Sequence, residues 1–201
     1  MTKPKQASWP IAWGFRLVAL ALTGCATPQA LNQKKAEPVA IVMDADTGRD
    51  DAWTIFGAMR RNQPAALIAS YGNTNLGNTE RNTLDVVALA ATARPDQALV
   101  PVWRGSSAPL AGAPASSLQE ISTRDRNNGN GLVNVTLPPS GLSVVNNAQP
   151  WATQMADVIK QKGKVDFVAL GPMTDLAQLI DAFGTAKDGT PNIRRYVQRV
   201  V

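Results

Sequence analysis

From Val39 onward, short uninterrupted apolar runs alternate with longer stretches of helical periodicity, and this alternation restricts the fold more than any other feature. Val39-Ala40-Ile41-Val42-Met43 leaves no polar side chain to face solvent, as expected of a strand buried on both faces. Ala52, Ile55, Phe56 and Met59 then recur at helical spacing. A strand at 66–71, a helix around 78–91 and a strand at 100–103 are expected next. A helix near 148–162, a strand at 165–170 and a helix carrying Leu176, Leu179, Ile180 and Phe183 follow, and Arg194 to Val201 reads as a strand cut off mid-element. Strands alternating with helices imply an α/β fold with a mostly parallel sheet. Residues 104–147, rich in Ser, Ala, Pro, Asn and Gly, interrupt the pattern and read either as disordered or as a functional lid.

The densest chemistry follows the first strand. Asp44-Ala45-Asp46-Thr47-Gly48-Arg49-Asp50-Asp51 carries four carboxylates in eight residues, between a buried strand and a helix. In open α/β sheets ligands bind beyond the carboxyl ends of the strands, and Gly48 is read as permitting a tight turn there. Asp50 or Asp51 could simply cap the helix, where the dipole favours negative charge. Capping accounts for one or two acids and not for four. Carboxylates crowded within roughly 4–6 Å raise each other's pKa unless a cation compensates. Arg49 can supply one charge; a hard divalent cation with oxygen ligands is the more economical answer.

Charge argues against a nucleic-acid partner. The formal net charge is +5, but Lys3, Lys5 and Arg16 lie in the first 24 residues, which hold no acid. Without them the balance is +2, and no basic patch interleaved with aromatics remains. That N-terminus reads instead as a signal segment, basic through Arg16 and then apolar from Leu17 to Leu22, too short to span a bilayer. It closes on Leu22-Thr23-Gly24-Cys25, which resembles the bacterial lipobox, whose cysteine is lipidated and becomes the new N-terminus. Cys25 is the only cysteine, which excludes an intramolecular disulfide framework. The expected organisation is a signal peptide at 1–24, a small, polar tether at 25–38 and a domain at 39–201. Ala26 carries no acidic retention signal, which points to the outer membrane or periplasmic face of a bacterial envelope.

The acidic segment resembles the N-terminal signature of the calcium-dependent, inosine/uridine-preferring nucleoside hydrolases, an Asp-x-Asp-x-Gly-x-Asp-Asp run ending in Ala. Other landmarks follow in order: Gly72-Asn73, Pro101-Val102 with Gly105 and Pro109-Leu110, and Gly171-Pro172-Met173-Thr174-Asp175-Leu176-Ala177, which is similar to Gly-Pro-Leu-Thr-Asn-Leu-Ala. The resemblance implies a Rossmann-like domain, C-terminally truncated, of which the chain covers roughly the first half to two-thirds. It implies hydrolysis of the N-glycosidic bond of ribonucleosides with Ca2+ as cofactor. At matching positions it makes Asp46 and Asp51 calcium ligands, together with the Thr174 backbone carbonyl. Asp46 is also the general base, and Asp50 and Asn73 hold ribose hydroxyls. Asn73 has the plain alternative of a turn residue and Thr174 that of a helix N-cap. Asp44 reads as structural or as support behind the ligands, and Arg49 has no assigned role. The implied partners are a ribonucleoside and, through the lipid, a membrane, with a homo-oligomer left open.

Thr47 stands where the family commonly has proline, and Asp175 where it has asparagine; neither removes a liganding group. Arg126 to Leu132 is only loosely similar to the family's Gly-rich active-site loop, and the chain has no histidine to protonate a purine leaving group. Trp103 and Trp151 could stack on a base, although tryptophan beside a sheet is more often core. The truncated chain is expected to be inactive by itself. Two other readings stand beside the hydrolase. Phosphatases of the haloacid dehalogenase type also begin Asp-x-Asp after a strand, but place Thr two residues after the second Asp, where this chain has Gly48. A sugar- or nucleoside-binding lipoprotein without turnover is the third. For the anchor, Cys25→Ser is expected to abolish uptake of a labelled acyl chain in a bacterial host and leave an unprocessed precursor. Wild-type protein that takes up no label overturns the lipoprotein reading.

Overall fold

β1 (Ala40–Ala45) is the central strand of a five-stranded, wholly parallel sheet. β2 (Ala66–Ala69) and then β3 (Val102–Arg104) lie on one side of it, β4 (Val165–Ala169) and β5 (Val197–Val200) on the other. The computed structural model describes residues 39–61, 64–111, 129–133, 135–145, 151–184 and 192–201. The expected signal peptide, Cys25 and the tether lie outside the described residues, as do residues 126–128 of the Gly-rich segment.

Side-chain alternation in the strands sorts the core onto two faces. Val42, Ile68, Val165 and Phe167 pack with Met155 and Ile159 of α3 (Trp151–Lys162) and with Leu176 and Leu179 of α4 (Thr174–Phe183). Met43, Leu67, Ala69 and Val102 pack with Ile55 and Met59 of α1 (Arg49–Arg61) and with Leu84 and Val87 of α2 (Leu76–Thr92). The expected α/β architecture is therefore present, with helices on both faces. The chain steps outward from β1 to β3 through α1 and α2, then returns to the other side of β1 through α3. That reversal is the topological switch of a doubly wound sheet.

Local chemistry explains where boundaries differ from expectation. β1 runs past Met43 because Asp44 pairs with Ile68 on one side and Ala169 on the other. β3 starts only at Val102, since Pro101 has no N–H to donate; its carbonyl still accepts from the Leu67 N–H at 3.0 Å. α2 starts early because the Asn75 side chain caps it, accepting from the Asn78 N–H at 3.0 Å. β5 joins across a register shift that sets Arg199 opposite Asp166, and their side chains form a two-pronged ion pair. Within 104–147, residues 135–145 form neither helix nor strand, yet Leu137, Leu142 and Val144 pack on the α1–α2 side of the core. Among the described residues no helix is long and apolar enough to cross a membrane.

Candidate active site

The switch between β1 and β4 leaves a crevice at their carboxyl ends, where such sheets take ligands. Four loops meet there: residues 46–48 after β1, 70–75 after β2, 105–106 after β3 and 170–173 after β4. Asp46 lies half-buried in the first of these. The backbone N–H of Asn73 donates to its carboxylate, and the Asp51 carboxyl faces it within hydrogen-bonding reach. Asp51 is buried in the first turn of α1 and accepts from the Gly48 N–H at 3.1 Å. It therefore does close one half of a capping box while also meeting Asp46. Asp50, beside it, is exposed at the rim. Asn73 is half-buried and donates through its side-chain amide to the Gly131 carbonyl at 3.2 Å.

Thr174 is not an N-cap: Met173 precedes α4 in that position, and Thr174 is the helix's first residue. Its hydroxyl pairs with the Tyr71 hydroxyl at 2.8 Å, tying the loops after β2 and β4 together. The structure thus brings Asp46, Asp51 and Asn73 into direct contact, keeps Asp50 on the rim of the same turn, and puts Thr174 on the β4 side with its side chain engaged. Trp103 and Trp151 belong to the core, and the Trp103 indole N–H donates to Gln154 at 2.9 Å.

Asp44 shares the parity of Val42, so its carboxyl turns toward α4, where Asp175 occupies the first turn. Both carboxyls are fully buried; Asp175 accepts from the Ser106 N–H at 2.8 Å and from the Ser106 hydroxyl. Both oxygens of Asp44, the Ser70 hydroxyl and one oxygen of Asp175 are buried without a hydrogen-bond partner among the described residues. The electrostatic consequence is uniform. Burial pushes Asp44 well above the usual carboxylate range, Asp175, Asp46 and Asp51 push it further, and only the neighbouring Ser70 hydroxyl pulls it back. Burial also raises Asp46 and Asp175, while the hydrogen bonds each accepts oppose the rise. Asp51 is pushed up to about 7, mainly by burial and then by Asp46 and Asp50 against the pull of the Gly48 N–H.

Three glycines let the loops close on these acids. A side chain at Gly48 would strike the Asn73 amide, at Gly72 the Asp46 carboxylate, and at Gly171 the Asp46 backbone and Ser70 hydroxyl. Only Gly72 among them also needs its conformation, with φ at 153°. At Gly48 the φ is not positive, and the absent Cβ is what the turn requires.

Sequence reading missed the residues behind this surface. Ser70 stands one residue and Ser106 two residues past a strand end, positions that could have flagged them. Thr74, Asn78 and Asn82 are spaced at four, as are Thr79 and Thr83, so uncharged polar residues recurring on one side of the start of α2 were the available signal.

The donor chemistry fits a hard cation, since every group is an oxygen and, among the described residues, no cationic side chain pairs with these buried acids. Among the described residues, however, no three Asp, Glu, His or Cys side chains close around a metal-sized centre, so carbonyls and water would have to complete the shell. Without a cation the raised acids bind protons more tightly folded than unfolded, so stability falls as pH climbs from about 4 towards 7. Asp51→Asn is expected to flatten that slope in chelator-treated protein. A chemical-denaturation midpoint equally pH-dependent in both proteins would contradict this account of the charge.

Comparison with known proteins places this geometry. The family model described as inosine-uridine preferring nucleoside hydrolase matches residues 41–196. No curated protein sequence matches the chain. Among solved structures, a purine-preferring ribonucleoside hydrolase from Gardnerella vaginalis superposes with a TM-score of 0.63 at 23% identity, over 81% of this chain and 47% of that one. An inosine-uridine preferring nucleoside hydrolase from Bacillus anthracis gives 0.53 at 14% identity, over 81% and 49%. At these identities the likeness shows the fold, and this chain spans about half the length of either structure. With the family model covering most of its residues, the chain belongs to the inosine-uridine preferring nucleoside hydrolase family.

Proposed function

We propose that the protein hydrolyses the N-glycosidic bond of ribonucleosides, releasing free base and ribose. The observation that carries this reading is the facing pair of Asp46 and Asp51, set at the sheet's switch point among buried acids that pair with no cation among the described residues. Because the chain spans about half of the structures it matches, the activity is proposed for the whole protein.

Asp46, Asp51 and the Thr174 backbone carbonyl would hold calcium, whose charge offsets the acids and acidifies a bound water. Asp46 is the base. Its carboxylate, half-buried at the crevice and held by the Asn73 N–H, would accept the proton of the attacking water. Asp50, on the rim, and Asn73, in the wall, hold ribose hydroxyls and so fix the sugar face that water approaches. As the base departs, the ribose gains positive character, and the surrounding carboxylates stabilise it. Attachment through lipidated Cys25 would place this site in the bacterial envelope.

Product analysis separates the readings: free base and ribose for the hydrolase, phosphate for a phosphatase, neither for a binding protein. In the whole protein, Asp46→Asn is expected to cut turnover of inosine or uridine by about 100-fold or more while raising KM far less. Near-normal turnover would remove Asp46 as the base. Calcium is expected to raise the melting temperature and a chelator to lower it, with Asp51→Ala abolishing the difference; identical melting curves with and without saturating calcium would remove the metal.

A further inference from the structure

We infer that Asn82 is a positioning residue of this site, whose side-chain amide clamps the aspartate loop to the Gly129–Leu132 loop and thereby fixes Asn73 beside Asp46. Asn82 is 4% exposed, inside α2. Its side-chain nitrogen donates to the Thr47 carbonyl at 2.9 Å and to the Asn130 carbonyl at 2.7 Å. An amide NH2 has two protons, and here both are used, on chain segments that meet nowhere else through α2's backbone. A carboxylate of the same shape would set oxygen against both carbonyls.

The clamp is the centre of a wider arrangement. The Gly129 carbonyl accepts from the Asn78 amide and from the Thr74 hydroxyl, the latter at 2.9 Å, and the Gly131 carbonyl accepts from Asn73 at 3.2 Å. Three successive carbonyls of one loop are thus held by donors from residues 73–82. The loop turns on Gly129 at φ 87° and Gly131 at φ 77°, and just past it Val133, a β-branched residue, is at φ 49°, a strained position that persists only where the surroundings impose it. On the other side, the Thr47 hydroxyl pairs with that of Thr83 at 2.6 Å, and Thr83 donates to the Thr79 carbonyl at 2.7 Å. Thr47 directly follows Asp46, so α2 fixes the base's own loop through both backbone and side chain. Release of Asn82 frees the Gly131 carbonyl that orients Asn73, and the spacing between Asn73 and Asp46 is lost.

The kinetic consequence rests on the nucleoside-hydrolase reading; the clamp itself does not. Asn82→Asp removes both donors at constant shape, and Leu84→Ala, a core truncation on the same helix, matches it for loss of stability. In this chain, Asn82→Asp is expected to speed amide hydrogen exchange at residues 46–48 and 129–133 by about tenfold relative to α2, whereas Leu84→Ala speeds exchange throughout. In the whole protein the same variant should lower kcat/KM for inosine or uridine by about 10- to 100-fold, and Asn82→Gln, which keeps the donors, should recover part of it. If Asn82→Asp does not fold, Asn82→Ser is read in its place. Loop exchange within twofold of wild type, or a uniform rise like that of Leu84→Ala, overturns the inference. Whole wild-type protein that cleaves no nucleoside overturns the proposed function instead, and loop exchange then decides the clamp alone.

Discussion

Two-sided pairing of β1 is the constraint on which the site depends. As the central strand, its backbone is committed to β2 and β4 through Asp44. The Asp44 carbonyl then accepts the Leu170 N–H at 2.8 Å as the chain leaves β4. A carboxylate on such a strand cannot turn out to water without breaking the ladder. The aspartates that follow are drawn inward by the same geometry, because the loops after β2 and β4 close over them at Gly72 and Gly171. Burial of negative charge is therefore built into the fold, and burial is the leading cause of the raised pKa of each of these acids.

Much of this was legible in the amino-acid order, for a local reason. Strand and helix periods survive in short windows, so the strands and α-helices of the doubly wound sheet were visible in the sequence, although Arg194 and Arg195, read as part of the last strand, form a 3-10 turn before it. The Asp46–Asp51 pair was visible too, since its members are five positions apart and a helix start lies between. What was not visible depends on distant partners. The Asp175 acceptor for Ser106 is 69 residues away, and the two ends of the Asn82 clamp lie 35 and 48 residues from it. Gly48 illustrates a subtler point: the turn was legible, but not the neighbour from residue 73 that leaves no room for a Cβ. Residues 135–145 show the converse, because irregular chain can still contribute Leu137, Leu142 and Val144 to the core without any period to betray them.

The departures from the family pattern also acquire physical content. Thr47, where proline is common, provides a hydroxyl that reaches Thr83 and replaces a rigid ring with a hydrogen bond to α2. Asp175, where asparagine is common, substitutes an acceptor for a donor and leaves Asp44 facing a second acid in a dry place. The first substitution trades one way of stiffening a loop for another. The second adds to the local excess of negative charge that a compensating cation or proton must meet.

The sheet divides the interior into two apolar clusters that have no residue in common, one beneath α1 and α2 and one beneath α3 and α4. The clamp on the aspartate loop hangs entirely from the first. Volume changes around Met155 or Ile159 are separated from that clamp by the full thickness of a hydrogen-bonded sheet, whereas changes around Leu84 or Val87 act on the helix that carries it. The interior beneath α3 is thus insulated from the clamp, and sequence divergence between homologues should accumulate around Met155 and Ile159 faster than beneath α2.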